Sequence, residues 1–423
     1  MLQLSRIREE KDNIVELLKK RGKDFSKAIA KIIDLDEKRR SAQSQMEQYK
    51  AQLNKVSKEI GVLYKTGNAE EANALKATTA RLKKTIDRDK VIVDGTAVEL
   101  QELLYAIPNV PNELVPAGVT EDDNEIVDNE GVVPDLPKNA KPHWELADKY
   151  NLIDFEMGVK ITGAGFPLFT GKGARLQRAL INFFIDENTK AGYTEMMPPL
   201  MVNEASGIGT GNLPDKEGQM YHAEVDDLYL IPTAEVPLTN IYRDVVLKES
   251  ELPQKITGHT PCFRREAGSY GSDVRGLNRL HQFEKVEIVQ VVKPEGSFDV
   301  LNNMVEHVKG LLRKLELPFR TLRLCGGDLG FTSALTYDME VFSAAQEKWL
   351  EVSSISNFET FQANRLKLRF KNAEGKNQFV HTLNGSALAL PRIIAALLEN
   401  NQTPEGIKIP KVLVPYTGFD LID

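Results

Sequence analysis

Cysteine is nearly missing from this 423-residue chain: only Cys262 and Cys325 occur, in no metal-type spacing. That excludes a disulfide-stapled scaffold and a cysteine-ligated zinc centre, and it fits a reducing, cytoplasmic setting. No run approaches the eighteen or so apolar residues of a membrane span, so no membrane partner is expected. The opening MLQLSRIREEKDNIV lacks the apolar stretch of a secretory signal and is too acidic for a typical transit peptide. The common phosphate-loop signature is missing too. Lys172 and Lys376 follow glycines, yet no G-x-x-x-x-G-K-[ST] is complete, nor any G-x-G-x-x-G or H-E-x-x-H. Any nucleotide chemistry must rest on another scaffold.

Proline is absent from residues 1–103 and glycine is scarce there, so this segment reads as helix. Leu35, Arg39, Ala42, Met46, Tyr49, Leu53, Val56, Ile60 and Leu63 step alternately by four and three. So do Leu75, Thr79, Leu82, Ile86, Asp89, Val93, Thr96, Leu100 and Leu103. Both are heptad seams. With Thr66-Gly67-Asn68 as a tight turn between them, an antiparallel coiled-coil hairpin over about 27–103 is expected, some 40–50 Å long. A shorter helix with Leu4, Ile7, Ile14, Leu17 and Leu18 precedes it and ends near Gly22. The net charge is −7, yet residues 1–103 carry +5 and the remainder −12. A basic helical end on an acidic body points to a localised polyanion contact; solvated charge on long helices is the plainer alternative.

Residues 1–105 therefore read as a helical arm, 106–140 as an irregular, acidic and proline-punctuated linker, and 141–423 as the main domain. In that domain 174–190 reads as a helix with a buried stripe of Leu176, Leu180, Phe183 and Phe184. Strand candidates lie at 228–231, 256–264, 282–292 and 379–383. Few βαβ repeats appear, so an α+β fold with a mainly antiparallel sheet flanked by helices is expected.

Residues 261–292 read PCFRREAGSYGSDVRGLNRLHQFEKVEIVQVV, two alternating runs around a Gly-, Ser- and Arg-rich loop. In the second run Phe283, Lys285, Glu287, Val289 and Val291 share one face, with Phe283 and Glu287 roughly 14 Å apart. A flat apolar ring at one end and a carboxylate at the other suit an adenosine joined to an amine-bearing group. Arg264 and Glu266 stand on the first run, and Arg275 and Arg279 lie in the loop. Guanidinium forks suit phosphate oxygens. Taken alone, such a hairpin is as readily a solvated surface ribbon.

The run FRREAGSYGSDVRGLNRLHQFEKVE resembles the second signature motif of class II aminoacyl-tRNA synthetases, and within that class it is most similar to the seryl-tRNA synthetases. Four further segments match in order. Gly192–Leu200 (GYTEMMPPL) resembles the first motif, which implies a homodimer interface. Thr233-Ala234-Glu235, a weak tripeptide that otherwise reads as a helix cap, implies serine binding. Glu351-Val352-Ser353-Ser354 implies ATP binding, with Glu351 and Ser354 as oxygen ligands of Mg²⁺. His381–Arg392 (HTLNGSALALPR) reads as strand, small-residue turn and helix, and resembles the third motif. Here Ala387 and Leu390-Pro391 replace a glycine and a Val-Gly common in relatives, which touches only the fine shape of the pocket.

The resemblance implies ATP-dependent activation of L-serine to seryl-adenylate, then transfer to serine tRNA and, by the same token, selenocysteine tRNA. Arg264 and Arg392 would be catalytic, on the α- and γ-phosphates. Arg265, Glu266, Arg279 and Phe283 would complete the ATP site, with Phe283 under the adenine and Glu266 on its amine. Glu287 would join Thr233, Ala234 and Glu235 at the serine ammonium, and Asn384 and Ser386 would meet its hydroxyl. The basic arm, with Arg81, Lys83, Lys84, Arg88 and Lys90, would grip the tRNA. A serine-activating relative with another carrier would lack the arm, and a dead binding protein would lack Arg264, Glu287 or Arg392.

Overall fold

The proline-free segment is helical. A computed structural model describes residues 1–215, 218–266 and 275–423, and the chain divides into two units. The smaller comprises residues 2–19 and 23–108. It contains α1 (Leu4–Glu9), α2 (Lys11–Lys19), α3 (Ser26–Lys65) and α4 (Ala69–Ala106). The single short helix expected before the hairpin is thus two, because Glu10 leaves helical dihedrals at φ −119°. Gly67, at φ +83°, closes the turn between α3 and α4. Every heptad position along both helices is buried or half-buried. At 40 residues, α3 spans about 60 Å, longer than its seam alone implied, because helical turns continue past the seam.

The hairpin base holds a buried charge. Asp36 is fully buried and takes Arg8 at 2.7 Å, Arg39 at 2.8 Å and Arg40 at 3.1 Å. Burial alone would push its carboxyl up, but hydrogen bonds from Arg39 and Arg8 outweigh that and hold it below the usual carboxylate range.

The larger unit comprises Met1, residues 20–22 and 109–423. Its main sheet contains β1 (Glu125–Glu130), β2 (Thr194–Glu195), β3 (Gln254–Phe263), β4 (Gln282–Val292), β5 (Phe319–Arg323), β6 (Leu335–Ser343), β7 (Lys348–Asn357) and β8 (His381–Ala389). The spatial order is β1-β5-β6-β7-β8-β4-β3-β2, antiparallel throughout except for the β2–β3 edge pair. The helices that matter are α5 (His143–Lys149), α6 (Gly171–Lys190), α7 (Glu235–Asn240), α8 (Ser297–Lys314), α9 (Phe361–Leu366) and α10 (Leu390–Asn400). Period-two alternation splits β4 between two cores. Val286 and Ile288 join Leu176, Phe184, Met304 and Ile394 of α6, α8 and α10 in the larger core. Val289 and Val291 meet Leu238, Ala363 and Leu366 of α7 and α9 in the smaller one.

Two expectations are corrected. The segment read as a linker enters the larger unit from Asn109 and contributes β1, which pairs with β5. Its strand character is hidden because the edge is charged: Glu125 binds Arg323, Asp128 binds Lys309 and Glu130 binds Arg313. Likewise Asn384-Gly385-Ser386 is no turn, since β8 runs unbroken into α10. A Cβ on Gly385 would lie 2.9 Å from Ile355 Cγ1, so the small residue serves close packing of β8 on β7.

Candidate active site

Where β4 leaves the smaller core, its remaining odd-numbered side chains, Phe283, Lys285 and Glu287, line a cavity of about 390 Å³. Thr233, Glu235, Arg264, Glu266, Arg279, Glu351, Val352, Ser353, Ser354, Asn384, Ser386 and Arg392 line it as well. Fourteen of the sixteen residues singled out from the sequence therefore converge on one space. Ala234 does not: it is buried in the smaller core, because its neighbours Thr233 and Glu235 take the cavity side. Nor does Arg265, whose backbone N–H donates to Gln219 O at 2.9 Å. Arg275 sits apart, its guanidinium 4.8 Å from the Trp144 ring centre. The Gly- and Ser-rich connection at 267–274 lies outside the described residues.

One end of the cavity gathers two carboxylates, Glu287 and Glu235. Glu287 is fully buried and accepts from Thr233 Oγ1 at 3.2 Å and Asn384 Nδ2 at 2.9 Å, while Lys285 Nζ lies 2.7 Å away. Glu235 opens α7 behind Ala234 at the N-cap, and Thr233 Oγ1 accepts the Glu235 backbone N–H at 3.2 Å while both side chains line the cavity. Gln362 Nε2 donates to Glu235 Oε1 at 2.6 Å. Part of Glu235 remains accessible to the cavity, but burial of its carboxyl, and then the nearby Glu287, push its pKa up to about 7.

The other end is rich in guanidinium groups. β3 stops at Phe263, and Arg264 lies beyond it, its Nε donating to Pro232 O at 3.2 Å and its Cζ 5.3 Å from the Phe283 ring centre. Glu266 adopts φ +48° and accepts from Arg279 Nη1 at 2.9 Å. Arg392, in the first turn of α10, donates to Asn278 O at 2.9 Å and Glu351 O at 2.8 Å.

Glu351 and Ser354 are three apart, so a regular strand would put them on opposite faces. A β-bulge corrects this. Met339 pairs with Ser353 and Glu340 with Glu351, leaving Val352 as the extra residue. Glu351 and Ser354 then oppose Glu340 and Asp338, which share a face. Val352 turns its side chain into the larger core, and Ser353 Oγ donates to Ser386 O at 2.6 Å. Opposite Ser354, the Asp338 carboxyl is held well above its usual range by burial and then by Glu351, and its buried Oδ1 has no hydrogen-bond partner. An oxygen-only donor set with spare acceptor capacity fits Mg²⁺.

Sequence reading assigned no role to Lys285, Gln362, Asn278 or Asp338. Alternation along β4 marks Lys285 as a cavity residue. Asn278 lies beside Arg279 in the quoted run but carries no signal of its own, and Gln362 and Asp338 come from distant segments.

This antiparallel sheet with a cavity of carboxylates and guanidinium groups on its face is the catalytic core of a class II aminoacyl-tRNA synthetase. Residues 219–401 match the tRNA synthetase class II core domain (G, H, P, S and T), and residues 1–111 match the seryl-tRNA synthetase N-terminal domain. The serine–tRNA ligase of Salinibacter ruber is 50% identical over 421 residues, covering 99% of this chain and 98% of that one. That of Akkermansia muciniphila is 46% identical, covering 100% of this chain and 99% of its own length. The crystal structure of seryl-tRNA synthetase from Pyrococcus horikoshii complexed with ATP superposes with a TM-score of 0.94 at 34% identity, covering 100% of this chain and 99% of that one. The chain belongs to the seryl-tRNA synthetase family and is a serine–tRNA ligase.

Proposed function

We propose that the chain joins L-serine to serine tRNA in two steps within this cavity. ATP lies along β4 with its adenine on Phe283 and Glu266, and its triphosphate folds back among Arg264, Arg279 and Arg392. Serine enters at Glu287, its ammonium held by Glu287, Glu235 and Thr233 and its hydroxyl by Asn384 and Ser386. The serine carboxylate attacks the α-phosphorus and pyrophosphate leaves, giving seryl-adenylate. A carboxylate needs no general base, so the work is positioning and charge neutralisation. Arg264 meets charge developing on the α-phosphate, and Lys285, between Phe283 and Glu287, adds a second cation. A ribose hydroxyl of tRNA then attacks the seryl carbonyl and releases AMP.

The juxtaposition of Lys285 with Glu287, between the Thr233–Asn384 end and the guanidinium end, carries this reading. Glu351 and Ser354 would hold Mg²⁺, which supplies charge neutralisation at the phosphates. A pocket that hydrogen-bonds a substrate hydroxyl rejects the analogue lacking it by about 10⁴ or more, which disfavours alanine.

The helical arm at 27–103 grips tRNA by its phosphates and shape, and it serves selenocysteine tRNA as well as serine tRNA. Homodimerisation through the segment around Gly192–Leu200 is supported by its exposed Met197, Leu200 and Met201. Serine-dependent exchange of pyrophosphate into ATP, without tRNA, tests the first step, and its absence from folded protein would falsify it. Charging of purified serine and selenocysteine tRNAs tests the second.

A further inference from the structure

Behind the cavity wall lies a buried hydrogen-bond cluster that the chemistry above leaves unused. At its centre are His143, which opens α5, and Glu399, in the last turn of α10, both fully buried. His143 Nδ1 lies 2.7 Å from Glu399 Oε1. The same oxygen accepts from the His143 backbone N–H at 2.9 Å and from Gln346 Nε2 at 2.8 Å, and Ser343 Oγ donates to the other. Four donors are what a buried carboxylate needs to remain ionised.

The far edge of the imidazole settles its protonation. His143 Nε2 accepts the backbone N–H of Leu277 at 2.8 Å. An amide proton cannot move away, so this nitrogen carries none, and the ring is neutral with its proton on Nδ1 facing Glu399. The contact is close: Gly276 stands at φ +66°, and a Cβ there would lie 2.2 Å from Nε2.

Both ends of this bridge lead to nucleotide-facing groups. Leu277 precedes Asn278 and Arg279, Asn278 O receives Arg392 Nε, and Asn278 Nδ2 donates to Gln346 Oε1 at 2.9 Å. Glu399 stands on α10, about two turns beyond Arg392. We infer that His143 is a positioning residue for the ATP end of the site: its neutral ring, read by Glu399 on one edge and gripping the Leu277 amide with the other, fixes where Arg279 and Arg392 stand. This rests on the assignment of those arginines to ATP made above.

Two neutral substitutions separate the ring's functions. His143→Gln offers an acceptor near the place of Nε2, whereas His143→Asn retains only a donor near Nδ1. In serine-dependent pyrophosphate exchange, His143→Asn raises KM for ATP on the order of tenfold, the upper end of what one neutral hydrogen bond is worth, with KM for serine little moved. His143→Gln recovers most of that loss. A purely structural role would lower the active fraction and leave both KM values, and that result, or equal shifts in the two, overturns the proposal. If neither variant folds, ¹⁵N-histidine spectra of the wild-type protein decide. An unprotonated Nε2 on His143 that responds to added ATP, but not to serine, supports the assignment; a protonated Nε2 or no response to ATP refutes it. Absence of exchange in the wild-type chain would instead count against the activation reading, and the nitrogen spectra are independent of turnover.

Discussion

Lys285 and Glu287 stand two residues apart on one strand face, buried, with Nζ and Oε2 2.7 Å apart. Each is the other's counter-ion, and together they stand between the Thr233–Asn384 end of the cavity and its guanidinium-rich end.

Removing one partner leaves an uncompensated buried charge, which costs about 3–5 kcal/mol in comparable pairs. Glu287→Gln should therefore lower the melting temperature and raise KM for serine at least tenfold. The double variant Lys285→Met/Glu287→Gln should recover stability but not exchange activity. Calorimetry beside exchange kinetics checks this, and additive losses of stability would contradict it.

Arg264 is held by Pro232 O and the Phe283 ring, so its guanidinium is ordered before substrate arrives. Arg264→Ala should depress turnover on the order of 10²-fold or more, in line with losing a donor to the transition state. Unchanged turnover would remove Arg264 from the phosphate site.

Glu235 titrates at about 7 in the folded protein, above the ordinary carboxyl value, because of burial and of Glu287. Below that pH it is protonated and offers no charge to an ammonium. Serine affinity should thus rise with pH through about 7, before free serine loses its own proton. The stability sign is opposite. A raised carboxyl pKa favours the folded state at low pH, and that contribution disappears as pH rises through about 7. In Glu235→Gln, serine KM should lose its slope near pH 7; a wild-type slope in the variant would reassign it.

Asp36 shows the reverse case, its folded pKa being depressed. Its stabilisation of the helical arm is present above the unfolded value near 4 and is lost as pH falls further. Asp36→Asn should destabilise the arm by about 1–2 kcal/mol at pH 7, since the arginines are partly solvated. The difference from wild type should shrink below pH 4 in thermal melts followed by circular dichroism.

Deleting residues 30–100 should spare pyrophosphate exchange and abolish charging of serine tRNA. A truncated protein that charges tRNA at the wild-type rate would refute the arm's role.

Local periodicity made much of this molecule legible. The heptad seams of α3 and α4, the buried stripe of α6 and the alternation of β4 all follow from where neighbouring side chains must point. Resemblance of five segments picked out fourteen residues that line one cavity. Ala234 and Arg265 were carried along as neighbours in sequence, although adjacent residues do not share a direction: Ala234, at the N-cap of α7, turns into the smaller core.

Charged edges and distant partners stayed hidden. β1 reads as linker because its strand faces salt bridges and not a core, and the unbroken course of β8 depends on Ile355 packing against Gly385.

Spacing along the chain, then, sufficed to set the helices, the strand faces and the kinds of group each presents. Whether Glu351 and Ser354 share a face, which nitrogen of His143 holds its proton and how far Glu235 resists ionisation were decided by folding alone. A bulge, a backbone amide 134 residues away and the burial of one carboxyl beside another arise across space, and no local pattern encodes them.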